Sequence, residues 1–213
     1  MTYAGLPDDV LHAPSASSSP SAAGFVREAT SADLGAIGRV HAAAMLASLR
    51  AAYTAAHDAP LPAGVEAMVA PPVIAAGWEQ AVLSPPSPEH RVLVAVGGDG
   101  EVVGLVGVAP SPGGTDAAEE ADGVDENAAA RGLEITALGV APEQQRRGHG
   151  SRLLAAATDQ ARAQGAGVLL VWAVRGDESL DGFLRGAGLT RTGSFRELPV
   201  GQGVIEDCWA AVL

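Results

Sequence analysis

Apolar residues recur along this chain with two different periods. Leu34, Ile37, Val40, Ala44, Met45 and Leu49 fall at helical spacing. Just ahead of them, Thr30-Ser31-Ala32-Asp33 has the form of a helix-starting box, in which hydroxyl and carboxylate cap each other's backbone N–H. The pattern predicts a long helix from that point. Pro71-Pro72 can open a helix but not continue one, which predicts a second helix over about Val73 to Leu83. Arg91 to Val96 and Val102 to Val108 are instead short, Val-rich runs separated by Gly97-Gly98-Asp99-Gly100, a hairpin signal.

Phe25 to Glu28 predicts a short first strand. Leu133 to Val140 reads as a strand stopped by Pro142. Gly148 to Gln164 reads as a helix with Leu153, Leu154 and Ala157 on its inner face, ended by Gly165 and Gly167. Val168 to Val174 is a continuous apolar strand of the buried kind. A short helix over Ser179 to Arg185 and two last strands, about Leu189 to Arg196 and Val204 to Leu213, complete the order βααβββαβαββ. That order is a mixed α/β layer arrangement in one domain, residues 24–213.

Composition changes this picture at two places. Residues 1–23 are rich in Ser, Ala and Pro and cannot bury enough surface to offset their ordering entropy, so a disordered tail is expected. Residues 111–131 hold Gly113-Gly114 and six acids between Asp116 and Glu126, which reads as a solvated acidic surface loop or, in the sharper reading, a lid that recruits substrate. All 13 basic residues are Arg and the formal net charge is −12. A chain this acidic is a poor nucleic-acid binder; it is compatible with a cationic small substrate, and solubility alone explains the charge equally well. Cys208 is the only cysteine, so no internal disulfide and no cysteine-rich zinc site can form, and no metal is expected. There is no charged and apolar leader pattern, and no apolar run approaches the roughly 18 residues of a bilayer span, so the expected location is the cytoplasm, away from membranes.

The stretch from Leu138 to Leu154 carries the chemistry. It joins a strand to a helix through a turn with two glycines, Gly148 and Gly150, and two arginines, Arg146 and Arg147. A helix start leaves N–H groups unpaired and carries partial positive charge, and glycines let a phosphate approach the backbone. Arginines add full charges that pair with phosphate oxygens. A P-loop is excluded because there is no Lys, and the dinucleotide fingerprint fails because Leu153 stands at its last position.

Gln145-Arg146-Arg147-Gly148-His149-Gly150 matches the pyrophosphate motif Q/R-x-x-G-x-G/A in full, and its flanks, Val140-Ala141-Pro142-Glu143 and Ser151-Arg152-Leu153-Leu154, fit as well. The chain here resembles the GNAT superfamily of N-acetyltransferases. Val26 to Thr30 with Asp33-Leu34, and Phe183 with Gly188-Leu189, extend the resemblance over roughly residues 25 to 213. It implies a central, mostly antiparallel sheet with a parallel β4–β5 pair flanked by helices. It implies acetyl-CoA as cosubstrate and a small-molecule or peptide amine as acceptor, attacked directly in a ternary complex. Backbone groups of Leu138, Gly139 and Val140 would pair with the pantetheine arm. Amides from Gln145 through Arg146, Arg147, Gly148, His149 and Gly150 to Ser151 would hold the pyrophosphate.

Glu134, on the strand leading to the motif, takes the place of the carboxylate that serves many relatives as general base; the bland reading is a solvent-facing charge. His149 by itself reads as a solvated surface side chain. His41 and His57 read as ordinary structural histidines, with the acceptor pocket as the alternative. Trp78 and Met45 read as core or pocket wall, and Trp172 as core. Asp177 stands where the family commonly has an Asn touching the CoA arm. Leu184 stands where the family commonly has a Tyr that protonates the leaving thiolate, so no proton donor is carried over. Homodimers are common in the family. Rival readings are another acyl group or an alcohol acceptor, and an acyl-CoA sensor of weak catalytic power.

Overall fold

The computed structural model describes residues 24–112, 131–199 and 203–213. The tail expected at 1–23 and most of the acidic loop lie outside the described residues. Seven strands form one sheet in the order β1-β2-β3-β4-β5-β7-β6. They are β1 (Phe25–Glu28), β2 (Arg91–Val96), β3 (Val102–Pro112), β4 (Arg131–Val140), β5 (Val168–Val174), β6 (Thr190–Glu197) and β7 (Ile205–Val212). Only β4 and β5 run parallel. Parallel neighbours need a crossover, and α4 (His149–Ala163) supplies it.

α4 lies on one face with α5 (Glu178–Gly186), whose Leu184 shares a buried cluster with Leu133, Ile135, Leu153, Ala157 and Leu169. On the other face lie α1 (Leu34–His57) and α3 (Pro71–Leu83), packed over Ile37, Val94 and Leu105. These two helices meet at Gly38, where a Cβ would come within 2.5 Å of the Pro71 carbonyl oxygen, so only glycine lets them cross this closely. The C-terminal half of α1 covers a third cluster with Leu61, Val69 and Val204.

The expected helix-starting box is present: Asp33 Oδ2 accepts from both the Thr30 N–H and the Thr30 hydroxyl at 2.8 Å. Arg27 adds a two-pronged bond to the same carboxylate, at 2.7 and 2.8 Å.

Two expectations are corrected. A further helix, α2 (Ala63–Met68), follows α1; at 6 residues between prolines it is too short to show a period. The loop is shorter than 111–131, because Ser111 pairs with Gly132 and Pro112 with Arg131. The prolines hide this extension from a sequence reading. β3 tolerates them because β2 pairs with it only as far as Val108, so past that point a missing N–H leaves no partner unmet.

Candidate functional site

The parallel pairing of β4 with β5 runs from Gly132↔Val168 to Ile135↔Val171 and stops. Past that point β4 pairs only with β3 and β5 only with β7. The strands part at a bulge: Gly107 pairs with Ala137 and Val108 with Ile135, leaving Thr136 as the extra residue. From Thr136 to Val140 the β5-facing edge of β4 therefore has no strand partner among the described residues. That edge leads into Ala141, whose N–H is held by the Val103 carbonyl at 2.9 Å, and into the turn before α4.

The turn before α4 gathers unpaired donors and positive charge. Arg146 (φ 62°) and Gly148 (φ 80°) both adopt left-handed backbone, which folds the chain tightly ahead of the helix. No side chain caps the first turn of α4, and its first bond toward the N-terminus is from the Arg152 N–H to the Gly148 carbonyl at 3.1 Å. The N–H groups of His149, Gly150 and Ser151 thus lack intrahelical partners and lie at the positive end of the dipole. Arg146 and Arg147 are exposed beside them, and Arg147 Nη1 donates to Gln144 Oε1 at 3.1 Å. Gln145 folds back so that Nε2 donates to the Val140 carbonyl at 3.3 Å, tying the turn to the end of β4. Leu138, Gly139 and Val140 thus meet Gln145 to Ser151 at one place.

His149 is not a solvated surface residue. It is 5% exposed, and its Nδ1 accepts from Arg152 Nη2 at 3.0 Å. Burial, then the charges of Arg152 and Arg147, push its pKa below the ordinary imidazole value, so the ring is held neutral. Only its backbone N–H belongs to the anion site. The reversal is legible afterwards in the spacing, since residues 149 and 152 face each other on a helix.

Asp177 caps α5, accepting from the Leu180 N–H at 3.0 Å, and accepts on its other oxygen from Ser48 of α1. Its carboxylate is thus engaged by both α5 and α1. Leu184 is fully buried, while Phe183 turns toward the site; a Cβ on Gly150 would sit 3.5 Å from its ring and 3.8 Å from Val140. Position 184 therefore belongs to the core.

Glu134 is half-buried, and strand alternation places it on the face away from α4, because Leu133 and Ile135 enter the α4-side core. Its cross-strand neighbours are Ala109 and Leu170. Burial pushes the Cys208 thiol up, and the Glu134 charge adds to that. His41 stands on the same face, its Nδ1 accepting from Trp78 Nε1 at 2.9 Å. His57 instead packs its ring 4.3 Å from Tyr53 at the end of α1. Trp172 is half-buried with the Arg196 guanidinium 4.4 Å above it. Thr136 and its bulge were missed by sequence reading, which has no signal for where two parallel strands part.

The family model described as "Acetyltransferase (GNAT) family" matches residues 56–185, more than half of the chain. The chain belongs to the GNAT acetyltransferase family. Solved structures agree on the fold. A GCN5-related N-acetyltransferase of Kribbella flavida is similar at 20% identity and TM-score 0.58, covering 90% of this chain and 98% of that one. The protein yncA of Salmonella typhimurium, solved with its cofactor acetyl-CoA, is similar at 18% identity and TM-score 0.55, covering 89% and 93%. No curated protein matches the chain. In this GNAT domain the free edge of β4 and the start of α4 lie where strand, turn and helix follow one another directly.

Among the described residues no group of His, Cys, Asp or Glu is placed to hold a metal ion, and no helix is long and apolar enough to cross a membrane.

Proposed function

We propose that the chain transfers the acetyl group of acetyl-CoA to a primary amine, by direct attack while both substrates are bound. The observation that carries this reading is the unpaired β5-facing edge of residues 136–140, running straight into the arginine-rich start of α4. Acetyl-CoA presents the matching pair of features, an extended arm with two amides and a diphosphate. Leu138, Gly139 and Val140 would pair with the arm as one added strand. The amides from Gln145 to Ser151, with Arg146 and Arg147, would hold the diphosphate.

Such an arrangement brings the thioester to the apex where β4 and β5 part, at Ile135 and Thr136. An amine is mostly protonated near neutral pH, so it must lose a proton before it attacks. Glu134 lies one residue from the apex, on the face open to an acceptor, and is the group proposed to take that proton. The carbon–nitrogen bond then forms as the carbon–sulfur bond breaks, and sulfur leaves with the electron pair. Leu184 cannot donate to it, being apolar and within the core. The nitrogen gives up its second proton as the amide forms, and water carries that proton to sulfur, since a free thiol has a pKa of about 8.5 and its thiolate is only moderately basic. Holding both reactants in place supplies much of the rate, on the order of several kcal/mol.

Calorimetry with acetyl-CoA and a thiol-release assay with a panel of amines test the proposal. Binding is expected in the micromolar range or tighter, about −8 kcal/mol. Gly150→Ala has room, with its nearest neighbour at 3.5 Å, and keeps binding, whereas Gly150→Glu places an anion on the phosphate site and abolishes it. Binding without release of free CoA for any amine would instead establish a sensor. Equal affinity in folded Gly150→Glu would remove the site.

A further inference from the structure

The face of the sheet that carries Glu134 also carries a hollow that the chemistry above leaves unused. Trp78 projects from α3 onto the backbone of β3. A Cβ placed on Gly107 would come within 2.6 Å of Trp78 Cη2 and 2.7 Å of Thr136 Oγ1. The indole ring is thus seated beside Thr136, and its N–H is tied to His41 Nδ1. On both sides of the ring the packing is incomplete. One hollow of about 270 Å³ reaches from Trp78 and Ala81 to Val92, Ala109 and Thr136. Another of about 290 Å³ runs along Val73, Ile74 and Gly77 to His41. Both are walled by Trp78 and Ala81, and a ligand spread over the two would approach the usual size of small-molecule sites.

We infer that these hollows hold the body of the acceptor, and that the acceptor is a primary amine carried on an aromatic or bulky apolar group. The inference rests on the acetyltransferase reading above. Three observations support it. First, the α4 side of the apex is filled, because Leu138, Val140 and Phe183 pack against the buried cluster there. An acceptor must therefore come from the α3 side. Second, the opening on that side begins at Thr136, the residue at which β4 leaves β5, and continues along Ala109, the cross-strand neighbour of Glu134. An amine nitrogen at Thr136 has the rest of its molecule against the indole, where ring-on-ring contact adds to area burial. Third, among the described residues no Asp or Glu lines either hollow, and the charged side chain at the rim is Arg91, whose Nη1 binds Glu28 at 3.0 Å and whose Nε is buried without a partner. A second ammonium on the acceptor would meet the Arg91 guanidinium.

The test compares 2-phenylethylamine, ethylamine and spermidine as acceptors for the full chain, with release of free CoA as readout and acetyl-CoA calorimetry alongside. The expected kcat/KM for 2-phenylethylamine exceeds that for each of the others by tenfold or more. Ala81→Leu adds volume at a half-exposed wall that packs against the edge of the Ile37–Val94–Leu105 cluster, so its fold is checked by thermal melting alongside. It should lower the preference for 2-phenylethylamine over ethylamine about tenfold while acetyl-CoA affinity moves less than twofold. Trp78→Ala should do the same, and Trp78→Phe should keep most of the preference. A preference for ethylamine or spermidine, or a ratio that neither Ala81→Leu nor Trp78→Ala moves, overturns the inference while leaving acetyl transfer standing. Where no amine is turned over, titration of 2-phenylethylamine into CoA-saturated protein decides separately. Binding that Ala81→Leu weakens upholds the hollow although the transferase reading has failed, and absence of binding overturns it too.

Discussion

Helices α3 and α4 have similar lengths, 13 and 15 residues, and flank opposite faces of one sheet, yet they are packed to different degrees. α4 sends Leu153, Ala157 and Ala161 to complete burial. α3 has no fully buried residue, and Val73 stays 61% exposed. The cause lies in what each helix meets. α4 meets Leu93, Val106, Leu133, Ile135, Leu169 and Val171 from β2 to β5, which its alanines let approach closely, and its Leu153 fills the space over Gly104. α3 faces Gly107 and Thr136, where one large ring spans the gap that small residues leave. The densely packed side holds a turn whose geometry must not vary. The loosely packed side leaves space, and space is where a substrate body can lie.

The contrast can be broken most directly by truncating each side. Leu153→Ala should cost about 3 kcal/mol of stability, as large-to-small changes at full burial do, while Ile74→Ala on half-exposed α3 should cost about 1 kcal/mol. Urea denaturation of both variants measures this, and equal losses would refute the difference in packing. Next in size is Glu134→Gln. It should lower kcat about 10²-fold, near 2.7 kcal/mol in barrier, and leave acetyl-CoA affinity unchanged, because the carboxylate faces away from α4. Full turnover across pH 6 to 9 would place the base elsewhere.

Leu184→Tyr sharpens the contrast from the α5 side. A hydroxyl at the family's usual place would restore a proton donor only if position 184 faced the site. Here it is fully buried, so the larger ring should cost about 1–3 kcal/mol and add no turnover. Increased turnover in the stably folded variant would show that α5 can rotate.

The smallest effect compares the two histidines, His149 on the α4 side and His41 on the α3 side. Burial depresses the pKa of both, and at His149 the charges of Arg152 and Arg147 add to it. Each ring is neutral in the fold, so as pH falls below about 6.5 the unfolded chain takes up protons first. The stability each contributes is complete above that pH and declines beneath it. His149→Asn and His41→Asn should each flatten the decline between pH 7 and 5, by less than about 1 kcal/mol. A stability curve that neither substitution alters would show that these rings titrate alike in both states.

Much of this fold was readable in consecutive residues. The hairpin at Gly97 to Gly100, the Thr30–Asp33 box and the Pro-led α3 each depend on local backbone chemistry, and each is present. Boundaries slipped by one residue at the last strands. α2 was not readable because six residues are too few to show a period, and the strand extension through Pro110 and Pro112 because pairing with a distant strand overrode the local signal. In the candidate site the same division holds. The motif from Gln145 to Ser151 lies where a phosphate-binding turn needs it, while the burial of His149 and the commitment of Asp177 to Ser48 depend on contacts 3 and 129 residues away.

The sequence by itself determined the strand, turn and helix around Gly148, since an anion site made of successive backbone amides needs only one short run of chain. It also determined the membership of the GNAT family and the alternation that puts Glu134 opposite Leu133 and Ile135. Only the tertiary structure decided where β4 leaves β5, because that point depends on a bulge set by the register with β3. It alone decided that Phe183 faces Gly150 and Leu184 the core, since one step along a helix turns a side chain by about 100° and packing selects the angle. And it alone brought His41, Trp78, Gly107 and Thr136 together, from four separate elements, because burial rewards contact in space without regard to distance along the chain.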